Sequence, residues 1–233
     1  MSRPVAIVTG AGSGIGRCVA RQLAEEGLAL VLVGRTAAKL EETARGLGEN
    51  PHLLIAADLA ERAEPGRIVA ACIDRFGRLD CLVQVAGIAP LAPLAETDDA
   101  LLAACFEANA FGPARLIRAA WPHFARQRGG RVVNVSTIGT LDPFPGFFAY
   151  AASKSALDSF TRSAAREGAA IGVEAWSVNP GAVETPLLRQ NFGEAVIPSH
   201  RTLSPEAVAR VVVDCVMARR SEPSGSIIPM PSR

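Results

Sequence analysis

The sequence contains one tyrosine, two tryptophans and three methionines, and aromatic residues make up only 5% of it. A core made from this chain must rely on aliphatic side chains, so the lone phenol stands out. Neither sign of charge is in excess: 24 basic side chains face 23 acidic ones, a formal net charge of +1. That balance excludes the basic footprint of a nucleic-acid binder, and pairs such as Arg219-Arg220 read as solvated faces. The five cysteines at 18, 72, 81, 105 and 215 form no CxxC pair and sit in apolar surroundings, so reduced thiols are expected. His52, His123 and His200 lie far apart in no ligand motif, and no metal site is expected. Apolar runs are short and interrupted, which argues against a transmembrane span. The first of them starts after four residues, without the basic region or cleavage site of a secretory signal. A soluble cytoplasmic protein with no membrane or nucleic-acid partner is the expectation.

What is there is an alternation. Apolar runs at 5–9, 28–33, 53–57, 79–85, 131–135, 173–178 and 227–228 read as buried strands. Helical stretches lie between them, including a long one over 98–124 that Pro113 interrupts and Trp121-Pro122 weaken, and a last one over 205–217 with Ser204 as N-cap. With 233 residues, 49% of them hydrophobic, the chain predicts one α/β domain over 1–233. The expected fold is a Rossmann-type doubly wound, mostly parallel sheet of about seven strands. Residues 186–200 are the least regular part and are expected to form a mobile substrate lid. Pro229 and Pro231 are expected to stop strand pairing at the end.

Three stretches carry chemistry. Gly10-Ala-Gly12-Ser13-Gly14-Ile15-Gly16 follows the first strand and opens a helix. Glycines there permit a tight turn and close approach of a pyrophosphate to free N–H groups at the helix start. The second strand ends in Gly34-Arg35-Thr36. An acid at this point would grip a ribose and repel a ribose phosphate; Arg35 argues instead for NADP, with NAD as the alternative. Asp58, after the third strand, either accepts a bond from an adenine amino group or caps the next short helix, and Ala86-Gly87 offer a close backbone approach after the fourth. The third stretch is Tyr150-Ala-Ala-Ser-Lys154. On a helix its phenol and ammonium fall one turn apart, and the cation is expected to favour the phenolate. A packed tyrosine beside a solvated lysine is the bland alternative. Asn109, polar within an apolar stretch, either satisfies a backbone group at a distortion or holds a water. Phe144, Phe147 and Phe148 wall a pocket or form a local hydrophobic cover.

Together these motifs resemble the conventional short-chain dehydrogenase/reductase family over almost the whole chain. The resemblance implies reversible hydride transfer between a nicotinamide and a carbonyl or secondary alcohol. It implies that Tyr150 passes the proton, Lys154 holds the nicotinamide ribose and Asn109 carries a water. It places the family's catalytic hydroxyl on Thr137, with Ser136 as the alternative if the following loop carries an insertion. It adds Leu59, Pro180, Gly181, Val183 and Thr185 to the cofactor contacts. Two departures stand out: the family's Asn-Asn-Ala-Gly is Gln84-Val85-Ala86-Gly87 here, which predicts some loss of rigidity, and the hydroxyl is a threonine. A catalytically silent dinucleotide-binding regulatory protein is the rival reading, and a homodimer through the Asn109 and Tyr150 helices is expected, with a homotetramer as alternative. Pro90, Leu91, Phe144, Phe147, Leu187 and Phe192 point to an apolar substrate, and Arg189 is weighed as a contact for a substrate carboxylate against a solvated side chain.

Overall fold

Uninterrupted runs of Val, Ile, Leu and Ala become strands buried on both faces. The computed structural model describes residues 3–232. Its strands are β1 (Val5–Thr9), β2 (Ala29–Gly34), β3 (His52–Ala56), β4 (Cys81–Gln84), β5 (Gly130–Val135), β6 (Val173–Pro180) and β7 (Ile227–Met230). They form one parallel sheet in the order β3-β2-β1-β4-β5-β6-β7. Strand order reverses between β1 and β4, and in such sheets the carboxyl ends beside the reversal hold ligands.

The two-residue period of the strands sorts the core into two layers. Ala6 and Val8 pack with helices α1 (Gly14–Glu25), α2 (Ala37–Ala44) and α8 (Pro205–Val216). Val5 and Ile7 pack on the other face with α3 (Glu64–Phe76), α5 (Gly112–Gln127) and α6 (Phe148–Gly168). The fold is therefore the single-domain Rossmann-type α/β architecture that the alternation predicts. Ser204 caps α8 as expected, its Oγ accepting from Ala207 N at 3.1 Å.

Of three prolines, Pro113 interrupts its helical stretch as expected and two act differently from expectation. The long helical stretch is α4 (Asp99–Phe106), a π-helical turn at Glu107–Phe111, and then α5. Pro113 lacks the N–H that would close an α-turn on the carbonyl of Asn109, and the wider turn absorbs that loss. Pro122 does not weaken α5, which continues to Gln127 and ends where Arg128 turns left-handed (φ 53°). Pro229 does not stop pairing either: it registers against Asn179, and Met230 against Pro180. β7 is an edge strand, where a missing N–H costs little if it faces away from the ladder.

Leu82, at the centre of β4, is fully buried. Leu82→Ala should cost about 2–5 kcal/mol, read as a lower urea midpoint at unchanged m-value. A loss below about 1 kcal/mol would contradict close packing of this layer.

Candidate active site

The glycine turn follows from steric necessity. Gly10 has φ +67°, and a Cβ there would meet Ala86 N at 2.9 Å. A Cβ on Gly16 would lie 2.2 Å from the Gly10 carbonyl, so α1 can start this close to the turn only with glycine. Ser13 stands at the N-cap of α1 with no side-chain cap bond. The first N–H groups of the helix thus keep no side-chain acceptor. A cleft of about 510 Å³ opens over them, lined by Gly10, Gly12, Ser13, Gly14 and Ile15. Arg35, Asp58, Leu59, Ala86, Gly87 and Thr185 complete its wall among the expected residues. This cradle fits the pyrophosphate and sugars of a nicotinamide dinucleotide. Gly16 lies outside the lining and acts through packing. Asp58 closes a local turn, accepting from Ala60 N at 3.0 Å, while still edging the cleft. Arg35 is exposed at the rim beside Lys39, a second cation one turn on.

A second cleft, of about 500 Å³, is continuous with the first. The two share Ile15, Val85, Gly87, Ala89, Thr185, Leu187 and Asn191 in their walls. Tyr150, Lys154, Ser136, Thr137, Pro180, Gly181 and Val183 line the second. Lys154 is buried and its Nζ donates to Val135 O at 2.8 Å, which disposes of the solvated-lysine alternative. The Ser136 hydroxyl is turned inward, donating to Lys154 O at 3.3 Å. Thr137 Oγ1 accepts from Gly139 N at 3.2 Å and is near enough to the Tyr150 phenol to oppose the rise in its pKa. Of the two candidate hydroxyls, Thr137 is the one brought to the phenol.

Asn109 sits in the π-turn and is fully buried. Its Oδ1 accepts from Ile88 N at 2.8 Å, and its Nδ2 donates to Ile88 O at 2.9 Å and Ser153 Oγ at 3.0 Å. Ser153 in turn donates to Tyr150 O at 2.8 Å. The carboxamide therefore satisfies backbone groups at a helix distortion and ties the loop after β4 to α6. Val85 brings no side-chain hydrogen bond to that loop, whose backbone is held by Thr9 Oγ1, accepting from Val85 N at 3.1 Å and Ala86 N at 3.2 Å.

Burial governs the charges. It pushes the Tyr150 phenol up to about 12, and only the Thr137 hydrogen bond opposes that rise. It pulls the Lys154 ammonium down to about 8, against the opposing field of Asp158. The expectation that the cation lowers the phenol is not met in this structure: the ammonium points at the Val135 carbonyl, and desolvation sets the direction of the phenol's shift.

Residues 186–200, expected to be the least regular part, contain regular structure. They contain α7 (Pro186–Asn191), whose N-cap Thr185 accepts from Leu188 N at 3.2 Å. Arg189, weighed as a substrate contact or a solvated side chain, is half-buried and held in ion pairs. It pairs with Glu184 and with Glu194 (3.0 Å), and donates to Ile197 O at 2.8 Å. Leu187, Leu188, Phe192, Phe144 and Phe147 line the second cleft, and Pro90 the first. Leu91 and Phe148 lie outside the lining and are exposed. Phe147 packs between Tyr150 and Phe192, with ring centroids 5.3 and 6.0 Å away.

Residues 4–195 match the family model described as short chain dehydrogenase. The chain belongs to the short-chain dehydrogenase/reductase family. It is 37% identical over 228 residues to a protein of Streptomyces violaceoruber named as a ketoacyl reductase of the granaticin polyketide synthase, covering 92% of this chain and 90% of that one. It is 31% identical over 210 residues to an oxidoreductase of Staphylococcus epidermidis, covering 90% and 89%. A solved 3-ketoacyl-(acyl-carrier-protein) reductase from Brucella melitensis, complexed with NADH, superposes with TM-score 0.90 at 27% identity, covering 98% and 96%. Levodione reductase superposes with TM-score 0.91 at 25% identity, covering 98% and 96%. The protein is thus an NAD(P)-dependent oxidoreductase of this family.

Four features of the site escaped the sequence reading. Lys39 could have been found from its spacing to Arg35. The Ser153 link, the Asn191 bond to Ala89 O at 2.7 Å, and Arg201 in the second cleft depend on the fold and had no local signal. Among the described residues no three His, Cys, Asp or Glu side chains are grouped to hold a metal, and no helix is long and apolar enough to cross a membrane. Cys72, Cys81, Cys105 and Cys215 are buried free thiols, and Cys18 is half-buried.

The depressed Lys154 sets a pH signature. Between about 8 and its ordinary 10.5 the folded chain holds this group neutral while the unfolded chain keeps it protonated. The unfolded state then binds more protons, so this group makes stability rise with pH across that window. Chemical denaturation from pH 8 to 10 should show a rise that Lys154→Met reduces. An identical slope in both chains would contradict the burial assigned to Lys154.

Proposed function

We propose that this protein is an NADP(H)-preferring carbonyl reductase, reversible toward secondary alcohols, with Tyr150 as proton donor and acceptor. The observation that carries the reading is the continuity of the glycine-turn cleft with the cleft where Tyr150, Thr137 and Lys154 converge. A bound nicotinamide would supply the hydride. Tyr150 and Thr137 would hydrogen-bond the substrate oxygen, and Tyr150 would deliver its proton as charge develops there. Thr137 takes the catalytic hydroxyl role because it, not Ser136, reaches the phenol. Lys154 would exchange its bond to the Val135 carbonyl for the ribose hydroxyls. The Asn109 carbonyl, facing a proline where an N–H donor would stand, is the atom that would hold a water leading to Lys154.

Arg35 and Lys39 at the rim favour a ribose phosphate over a bare ribose. NAD is the second reading, since a structural relative is complexed with NADH. The remaining cofactor contacts are Gly10, Gly12, Ser13, Gly14, Ile15, Asp58, Leu59, Ala86, Gly87, Pro180, Gly181, Val183 and Thr185. The 186–200 segment acts as a lid whose inner face offers Leu187, Leu188 and Phe192 to an apolar ketone or aldehyde. A homodimer through α4, α5 and α6 accords with the exposed Phe111 beside Arg115. The cytoplasm is the proposed location.

Tyr150→Phe should lower kcat on any accepted ketone by about 10²–10⁴-fold with NADPH affinity retained, read by NADPH absorbance and binding titration. Turnover at the unaltered rate would contradict the role of the phenol. Arg35→Ala should lower kcat/KM for NADPH by about 10-fold and leave that for NADH unchanged. Equal use of both nucleotides by the unaltered chain would contradict the NADP preference.

A further inference from the structure

Behind Thr137 lies a buried polar group to which the reaction above assigns no task. Asp158 on α6 and Ser177 and Asn179 on β6 are all buried. Asn179 Nδ2 donates to Thr137 O at 3.0 Å and to Asp158 Oδ2 at 2.9 Å. It also lies 3.0 Å from Thr140 Oγ1, whose own hydroxyl donates to Thr137 O at 3.1 Å. Ser177 Oγ lies 2.7 Å from Asp158 Oδ1 and 2.8 Å from Asn179 Oδ1, and its one proton serves one of the two at a time.

A buried carboxylate is costly, so its presence calls for a task that its acceptor oxygens perform. Holding α6 on the sheet is not sufficient reason. Lys154 to Val135 O, and Asn134 to Thr161 Oγ1 at 2.8 Å, already do that. Besides its field on Lys154, Asp158 adds a second acceptor that, with the Thr137 carbonyl, fixes the orientation of the Asn179 amide. With a carboxylate oxygen on one side, the amide must present nitrogen there, because its oxygen would set two acceptors against each other. The NH₂ group then also faces the Thr137 carbonyl. Thr137 is extended (φ −155°, ψ 149°). Its carbonyl is fixed from behind by Asn179 and Thr140, and its Oγ1 from the front by Gly139 N.

We propose that Asp158 and Asn179 are positioning residues that hold Thr137 so that its hydroxyl meets the substrate oxygen beside the Tyr150 phenol. This rests on the catalytic role given to Thr137 above. Neither residue touches substrate or cofactor; each acts through the Thr137 backbone.

A double-mutant cycle tests it, with ketone reduction followed by NADPH absorbance. Asn179→Ala should lower kcat by about 10-fold, with the NADPH dissociation constant unchanged, and should cost nothing further in a Thr137→Val background. Asp158→Ala should fall with Asn179→Ala, while Asp158→Asn, which keeps an acceptor oxygen for the amide, should recover most of kcat. An additional loss of the same size in the Thr137→Val background would overturn the positioning role and leave the Thr137 hydroxyl in place. Asp158→Asn as slow as Asp158→Ala, with both folded by circular dichroism, would also overturn it. Thr137→Val at the unaltered rate would overturn both this proposal and the catalytic role of Thr137.

Discussion

The site depends on how one helix is fastened to two strand ends. α6 lies over the carboxyl ends of β5 and β6 and is held there by polar bonds made out of water. Lys154 reaches the last carbonyl of β5, Ser136 reaches back to the carbonyl of Lys154, and Thr161 receives Asn134. One turn after Lys154, Asp158 meets Ser177 and Asn179 of β6. Each such group would cost free energy if left unpaired at this depth, so the seam tolerates little slippage. Because Tyr150 stands four residues before Lys154, the same seam decides where the phenol is.

The rest of the architecture serves that placement. Strand order reverses at β1 and β4, and the glycine turn after β1 brings the start of α1 against the loop after β4. Asn109 then bonds that loop to α6 through Ser153. The π-turn that carries Asn109 is a backbone consequence of Pro113. The nucleotide cradle and the phenol thus share walls because one proline and one asparagine join elements that are distant in sequence. The low dielectric of the same region explains the charges: burial raises the phenol and depresses the ammonium.

Much of this was readable from the chain. Buried strands announce themselves as apolar runs, and a glycine turn between strand and helix has few other uses. The Tyr150 and Lys154 spacing survives because both sit on one unbroken helix. Features that depend on what lies across the fold were not readable. Pro122 and Pro229 break local rules, yet a helix held by Phe124 and Leu116 and an edge strand tolerate them. Arg189 reads as a substrate contact or a solvated cation, and its pairing with Glu184, Glu194 and the Ile197 carbonyl had no local signal. Burial sets the direction at Tyr150 while Nζ of Lys154 points at the Val135 carbonyl, which spacing does not reveal. Asp158 and Asn179 are ordinary residues of a helix and a strand end until the register of α6 on β6 brings them together.

The most direct test of the account is a crystal structure of the protein with NADPH bound. The account predicts the nicotinamide in the shared part of the two clefts, the Tyr150 hydroxyl facing it beside Thr137, and the bonds from Asp158 and Asn179 to β6 and Thr137 unchanged. A nucleotide seated elsewhere, or a Tyr150 phenol directed away from the nicotinamide, would contradict it.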